Sequence, residues 1–264
     1  MVIQRFTPAP GIEKLIKCYY YLEKADDQTL YDTYFADGCV EAVFSTGWEF
    51  YKDGNKEDWA KIIGQIVRPR ALEIKGKGKS FGIWFYPHAF SYFSGVNLSE
   101  LNDHVVPWEV LFPRAVSEFV GNCLQDDHIL RLVEGLDRFL LSQLAKHRRR
   151  QDHLIEFSVE YLTQHNASAD LDKLSSMLNV SQRYLQKLFV SRVGFSQKHF
   201  QKILRFQGVI RQLQGYTSSL TDLAYANNFY DQSHFIREFR EFTGFTPSHF
   251  DARRFPINQH FIVE

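Results

Sequence analysis

The sequence predicts a two-domain α+β chain: a small antiparallel β domain followed by its own C-terminal helices, then an all-α domain of two helix-turn-helix subdomains joined by a long helix. Three observations lead there. Short aromatic runs broken by Gly, Asp and Pro fill roughly the first 120 residues, the hydrophobic period becomes helical after that, and a dense run near the C-terminus occurs twice, 50 residues apart.

The β-type runs are 17–22, 40–45, 61–67 and 81–86, and all four tryptophans, Trp48, Trp59, Trp84 and Trp108, lie in this aromatic part. They predict a small antiparallel sheet or half-barrel. Between residues 113 and 145, Ile129, Leu130, Val133, Leu136, Leu140 and Leu144 recur at helical spacing, so an amphipathic helix is expected over 127–146, with another before it. That helix is expected to cover the sheet, a dimer helix being the alternative. The cationic run Lys146-His147-Arg148-Arg149-Arg150 marks the domain boundary. The expected division is 1–145, a basic linker at 146–151, a helical domain at 152–255, and a tail at 256–264 that frays or packs as a strap.

Lys plus Arg equal Asp plus Glu at 31 each, and 151–255 holds 12 against 10, so a nucleic-acid binder would have to place its positive charge on one face. No stretch of about 18 apolar residues and no secretory leader pattern occurs, so no membrane and a cytoplasmic location are expected. Cys18, Cys39 and Cys123 are odd in number and far apart, which argues against a disulfide framework or a zinc site. Gly78-Lys79-Ser80 ends like a phosphate loop but has Glu73 where the first glycine belongs, and is expected in a hairpin. The ten histidines show no metal-site spacing; His199 and His249 fall at equivalent repeat positions, which suggests packing or capping. No metal, cofactor or enzyme chemistry is expected.

In the repeat, Lys187, Phe189, Gly194, Phe195, Ser196, His199 and Phe200 return as Arg237, Phe239, Gly244, Phe245, Thr246, His249 and Phe250. A second matched pair precedes it, offset by 49: Asp170-Leu171, Leu174 and Asn179-Val180 against Ser219-Leu220, Leu223 and Asn228-Phe229. Asp170 and Ser219 read as N-caps, Ser219 with Asp222 as a capping box, and the asparagines suit a turn that needs a positive φ. Helix, tight turn and second helix is the plan that lays its second helix in a major groove. Burying Leu185, Leu188 and Phe189 in one copy leaves Gln182, Arg183, Gln186 and Lys187 outward; burying Phe235 and Phe239 in the other leaves Gln232, Ser233, Ile236 and Arg237 outward. Arg or Lys suits guanine and Gln suits adenine, so these eight are the candidate base contacts. The run 197–214 is a proline-free helix roughly 27 Å long, against roughly 34 Å between successive major grooves on one side of B-DNA. Lys202 and Arg205 on it, with Ser181 and Ser219 at helix starts, are the candidate phosphate contacts; Arg211 is another cation of the connecting helix.

The last hundred residues resemble the AraC/XylS transcription-regulator domain. The resemblance rests on Ala224-x4-Phe229-x-Asp231-Gln232-Ser233-His234-Phe235-x2-Glu238-Phe239-x4-Gly244-Phe245-Thr246-Pro247. It implies two helix-turn-helix units on a long helix, reading adjacent major grooves. Asn228 stands where the family has glycine, Tyr230 where it has serine, and Ser175 where the first copy has alanine. The N-terminal part resembles more loosely the cupin-like sensor domain of some of these regulators, through Ala36-Asp37-Gly38-Cys39-Val40-Glu41 and the stretch from Gly64-Gln65 to Phe85-Tyr86-Pro87. The expected function is sequence-specific regulation of transcription on double-stranded DNA. RNA polymerase, a small-molecule effector of unknown identity and a second copy of the chain are left open as further partners. The alternative is a DNA-repair or modifying protein that uses the helix pair to deliver a reactive Cys39.

Overall fold

The computed structural model describes residues 1–147, 149, 152–165, 168–213 and 219–257. In the first half, β1 (Val2–Phe6), β2 (Ile16–Lys24), β9 (Gly78–Phe85), β4 (Val40–Thr46), β7 (Ala60–Ile63) and β10 (Val105–Pro107) form a six-stranded sheet in that order. A second sheet has the order β3 (Leu30–Tyr34), β8 (Arg70–Lys75), β5 (Glu49–Lys52), β6 (Asn55–Lys56). Every pairing is antiparallel.

Side chains alternate across the large sheet, as the two-residue period of a strand requires. Tyr19, Tyr21, Ala42, Phe44, Phe81, Ile83 and Phe85 enter one core, which α1 (Phe90–Ser94), α2 (Arg114–Gln125) and α3 (Ile129–His147) cover. Tyr20, Leu22 and Trp84 face the other way, toward Phe50, Leu72 and Ile74 of the small sheet. The β domain is therefore a sandwich with helices on its outer face, and α3 is the expected cover. One member of its predicted stripe is misplaced: Leu130 is 71% exposed, and Leu132 takes the buried position. The run 61–67 leaves the sheet at Ile63, because Gly64 passes so close to the Leu101 carbonyl that a Cβ would overlap it.

The second half comprises α4 (Asp152–Gln164), α5 (Leu171–Met177), α6 (Gln182–Val193), α7 (Gln197–Leu213), α8 (Leu220–Ala226) and α9 (Gln232–Thr243). It has two cores. Ile155, Leu162, Leu174, Leu185 and Phe189 make the first, and Leu223, Phe229, Phe235, Phe239 and Phe242 make the second. Helix α7 serves both, giving Phe200 to the first and Ile203, Phe206 and Val209 to the second. Its predicted last residue, Gln214, lies outside the described residues, as do 148, 150 and 151 of the basic linker and 258–264 of the tail.

The halves are packed together. Phe35 and Ala36 enter the second helical core, with Phe35 edge-on to Phe250 and Phe255 at 5.7 and 4.9 Å between ring centroids. Gln207 donates to the Ala36 carbonyl at 2.7 Å, and Asn102 to the Gly194 carbonyl at 2.7 Å. Beside the linker, Asp152 and Arg192 form an ion pair at 3.0 Å with both side chains almost wholly buried, and Tyr92 donates to the Asp152 carbonyl. From the other end of the helical half, Ile257 returns to the inter-sheet core and its N–H donates to Asp32 at 2.6 Å.

Candidate nucleic-acid interface

The second helix of each pair, α6 or α9, is set by local chemistry. Asp170 caps α5 by accepting from the amides of Asp172 and Lys173, and Ser181 caps α6 by accepting from that of Tyr184. Ser219 and Asp222 form the reciprocal capping box of α8, and Asp231 caps α9 through the His234 amide at 2.7 Å. Between the paired helices, Asn179 and Asn228 take φ of 53° and 60°, so both turns use asparagine in the left-handed region. Helices α6 and α9 end on Gly194 and Gly244 with φ of 85° and 79°. The repeated Gly-Phe-[Ser/Thr] run is thus the stop signal of each recognition helix.

The side chains between cap and stop divide cleanly. Leu185 and Phe189, and Phe235 and Phe239, are buried. Gln182, Arg183, Gln186, Lys187, Gln232, Ser233 and Arg237 are exposed, whereas Ile236 is half-buried against the second core. Gln232 accepts from Thr221 at 3.1 Å, which ties α9 to α8. Among the described residues, Arg183, Lys187 and Arg237 have no carboxylate partner, while the cations behind them are neutralised. Arg205 makes a forked contact with Glu238 at 2.9–3.1 Å and lies 5.1 Å from the Phe229 ring; Lys202 is 3.7 Å from Glu241. Arg205, expected at a phosphate, is instead held inside by a carboxylate that is 3% exposed. Ser181 and Ser219 use their oxygens as caps. His249 bonds Thr246 at 2.7 Å, and His199 lies between Phe195 and Phe242. Two aromatic side chains that the sequence reading passed over, Tyr184 and Tyr230, stand 43% and 86% exposed on or beside these helices. Large rings on an otherwise polar face were the available signal.

A family model described as a helix-turn-helix domain matches residues 174–253, the segment holding both paired helices and the long helix between them. Those residues are a helix-turn-helix domain. Residues 4–107 of the chain match a second family model, described as a domain of unknown function. No curated protein matches it. Among solved structures it is similar to ToxT from Vibrio cholerae, at 11% identity over 87% of this chain and 96% of that one, with a TM-score of 0.45. It is also similar to an AraC-type regulator from Chromobacterium violaceum, at 22% identity over 39% and 94%, TM-score 0.37. The C-terminal domain of AraT, a response regulator from Geobacillus stearothermophilus, is similar at 20% identity over 40% and 90%, TM-score 0.37.

Other expected sites resolve simply. Gly78-Lys79-Ser80, expected in a hairpin turn, instead opens strand β9, whose sheet does not contain β8, and Lys79 pairs with Asp127. Cys39 is 3% exposed, and burial, reinforced by Asp37, pushes its thiol well above the ordinary range, the opposite of a delivered thiolate. Among the described residues no group of His, Cys, Asp and Glu could hold a metal, and no helix is long and apolar enough to cross a membrane.

Proposed function

We propose that the chain is a DNA-binding regulator of transcription that reads two adjacent major grooves through α6 and α9, and that a small molecule held by the β domain controls it. The observation that carries the first part is the contrast in cation pairing: Arg192, Lys202 and Arg205 face carboxylates, whereas Arg183, Lys187 and Arg237 stand exposed beside exposed glutamines on two helices of matched design. Unpaired Arg and Lys with Gln is the donor set for base edges, and α7, 17 residues and roughly 26 Å long, spans most of one helical turn of DNA. Lys202, still 40% exposed, and the exposed rings of Tyr184 and Tyr230 are assigned to the backbone between base contacts. Effector control is supported by the cavity between the two sheets, whose wall continues through 35–37 into the second helical core.

Selection from random DNA followed by anisotropy titration tests this reading. Two short elements about one helical turn apart are expected. Arg183→Ala, Lys187→Ala and Arg237→Ala should each weaken the selected site by ~1–3 kcal/mol without lowering Tm. Wild-type affinity in all three variants would refute the base contacts.

A further inference from the structure

A cavity of about 50 Å3 lies between the sheets, with Tyr20, Tyr34, Phe50 and Trp84 among its walls. One water needs ~10–15 Å3 by the same measure, so the space suits a ligand of a few non-hydrogen atoms. Its polar groups are unbalanced. Asp37 is already bonded to the Trp84 indole N–H at 2.8 Å and to the Cys39 amide at 2.9 Å. Glu41 has one hydrogen bond, from the Tyr20 hydroxyl at 3.3 Å, and the Tyr34 hydroxyl has no partner among the described residues. The Tyr20 ring is seated there because its neighbour in register is Gly82, where a Cβ would overlap it at 2.0 Å.

We propose that this cavity binds a small alkylammonium ion, with Glu41 as its counter-ion, Tyr34 as a second acceptor and the aromatic walls as its cation–π surface. The assignment rests on the effector-controlled reading above and names the ligand class. Lys17, whose ammonium acts on both Asp37 and Glu41, sits over the Trp84 ring at 4.1 Å, so the same indole already accepts a cation. The titratable groups acting on Glu41 agree: burial first, then Asp37, push its carboxyl up to about 8, while Lys17 and the Tyr20 hydroxyl pull the other way and Tyr34 and Cys18 lie nearby. Glu41 thus holds a proton at neutral pH that an arriving cation displaces. Ile257 and Gln207 also line the cavity, and both belong to the helical half, so the occupant touches the DNA-binding domain directly.

The test is calorimetric titration of the full chain with ethylammonium chloride at about pH 8.5, with ethanol as neutral isostere and sodium chloride as ionic control. Saturable binding is expected for ethylammonium alone, weakening about tenfold for each pH unit below 8. Glu41→Gln should weaken it at least ~10-fold, the loss of a charge-assisted contact. Tyr34→Phe, a one-atom deletion, should weaken it roughly threefold. Absence of binding, equal binding of ethanol, or wild-type affinity in both variants would overturn the proposal. Anisotropy on the selected DNA separates this from the effector reading. Glu41-dependent binding that leaves DNA affinity unchanged keeps the site and removes the control; a DNA response to ethanol alone keeps the control and removes the cationic class.

Discussion

The two glycines that end the recognition helices make a controlled pair. Both sit near φ +80°, so alanine at either carries a left-handed backbone cost of roughly 1–2 kcal/mol, partly offset by a stiffer unfolded chain. Their surroundings differ. At Gly244 an added Cβ meets only Pro69 Cγ, at 4.0 Å, whereas at Gly194 it would lie 1.9 Å from Gln65 Oε1 and 2.9 Å from Asn102 Oδ1. Gln65 is fully buried and its amide donates to the Gly38 carbonyl at 2.8 Å, so it has no free direction in which to yield. Moving it breaks that bond, and holding it forces the two halves apart, an added ~1–3 kcal/mol. Gly244→Ala is therefore expected to cost about 1 kcal/mol and Gly194→Ala about 2–4 kcal/mol. Urea unfolding followed by far-ultraviolet circular dichroism and by tryptophan emission measures both, all four tryptophans reporting the β domain. In a Gln65→Ala background the excess at Gly194 should shrink toward the Gly244 value, with Asn102 Oδ1 still 2.9 Å from the added Cβ. Equal costs at the two glycines in the wild-type background would show that the docking of α6 on Gln65 and Asn102 is wrong.

Three further outcomes are expected. Glu238→Gln should destabilise by ~3–5 kcal/mol in thermal unfolding because it strands the largely buried Arg205, whereas Glu238→Gln with Arg205→Met should recover most of that; no recovery would mean the pair is not the source. His199 has its pKa lowered by burial first and then by Lys202, so the folded chain prefers it neutral. Its contribution is complete above the ordinary value near 6.5 and declines as pH falls below it, and the urea midpoint between about pH 7.5 and 5 should slope less in His199→Gln than in wild type. Ser219→Ala should cost ~1 kcal/mol through the lost capping box of α8, with the DNA site preference unchanged; an altered preference would argue that Ser219 contacts DNA.

The helical half was legible because its signals are local. Caps, turn asparagines, stop glycines and the buried stripe all fall within a dozen residues of what they specify, and the repeat displays each twice. The β domain was legible only in part: the runs at 17–22, 40–45 and 81–86 mark the buried middle strands, but β1, β3 and β8 alternate too weakly to stand out and owe their pairing to partners far along the chain. Leu130 was misassigned because a three-to-four spacing does not say which of two leucines, two positions apart, faces inward. Arg205 looked like a phosphate contact until Glu238, 33 residues away, was brought beside it. Glu41, a scattered carboxylate in the sequence, faces a cavity only because the second sheet closes over it.

Ile257, bonded to Asp32, adds a fastening at the far end of the helical half to those made by Phe35, Ala36, Gln207 and Asn102. A body held at one point can turn in any direction, while a body held at several separated points turns only by breaking some of them. Any rearrangement of α6 and α9 relative to the β domain therefore has to break one of these contacts, the seat of Ile257 between the two sheets among them.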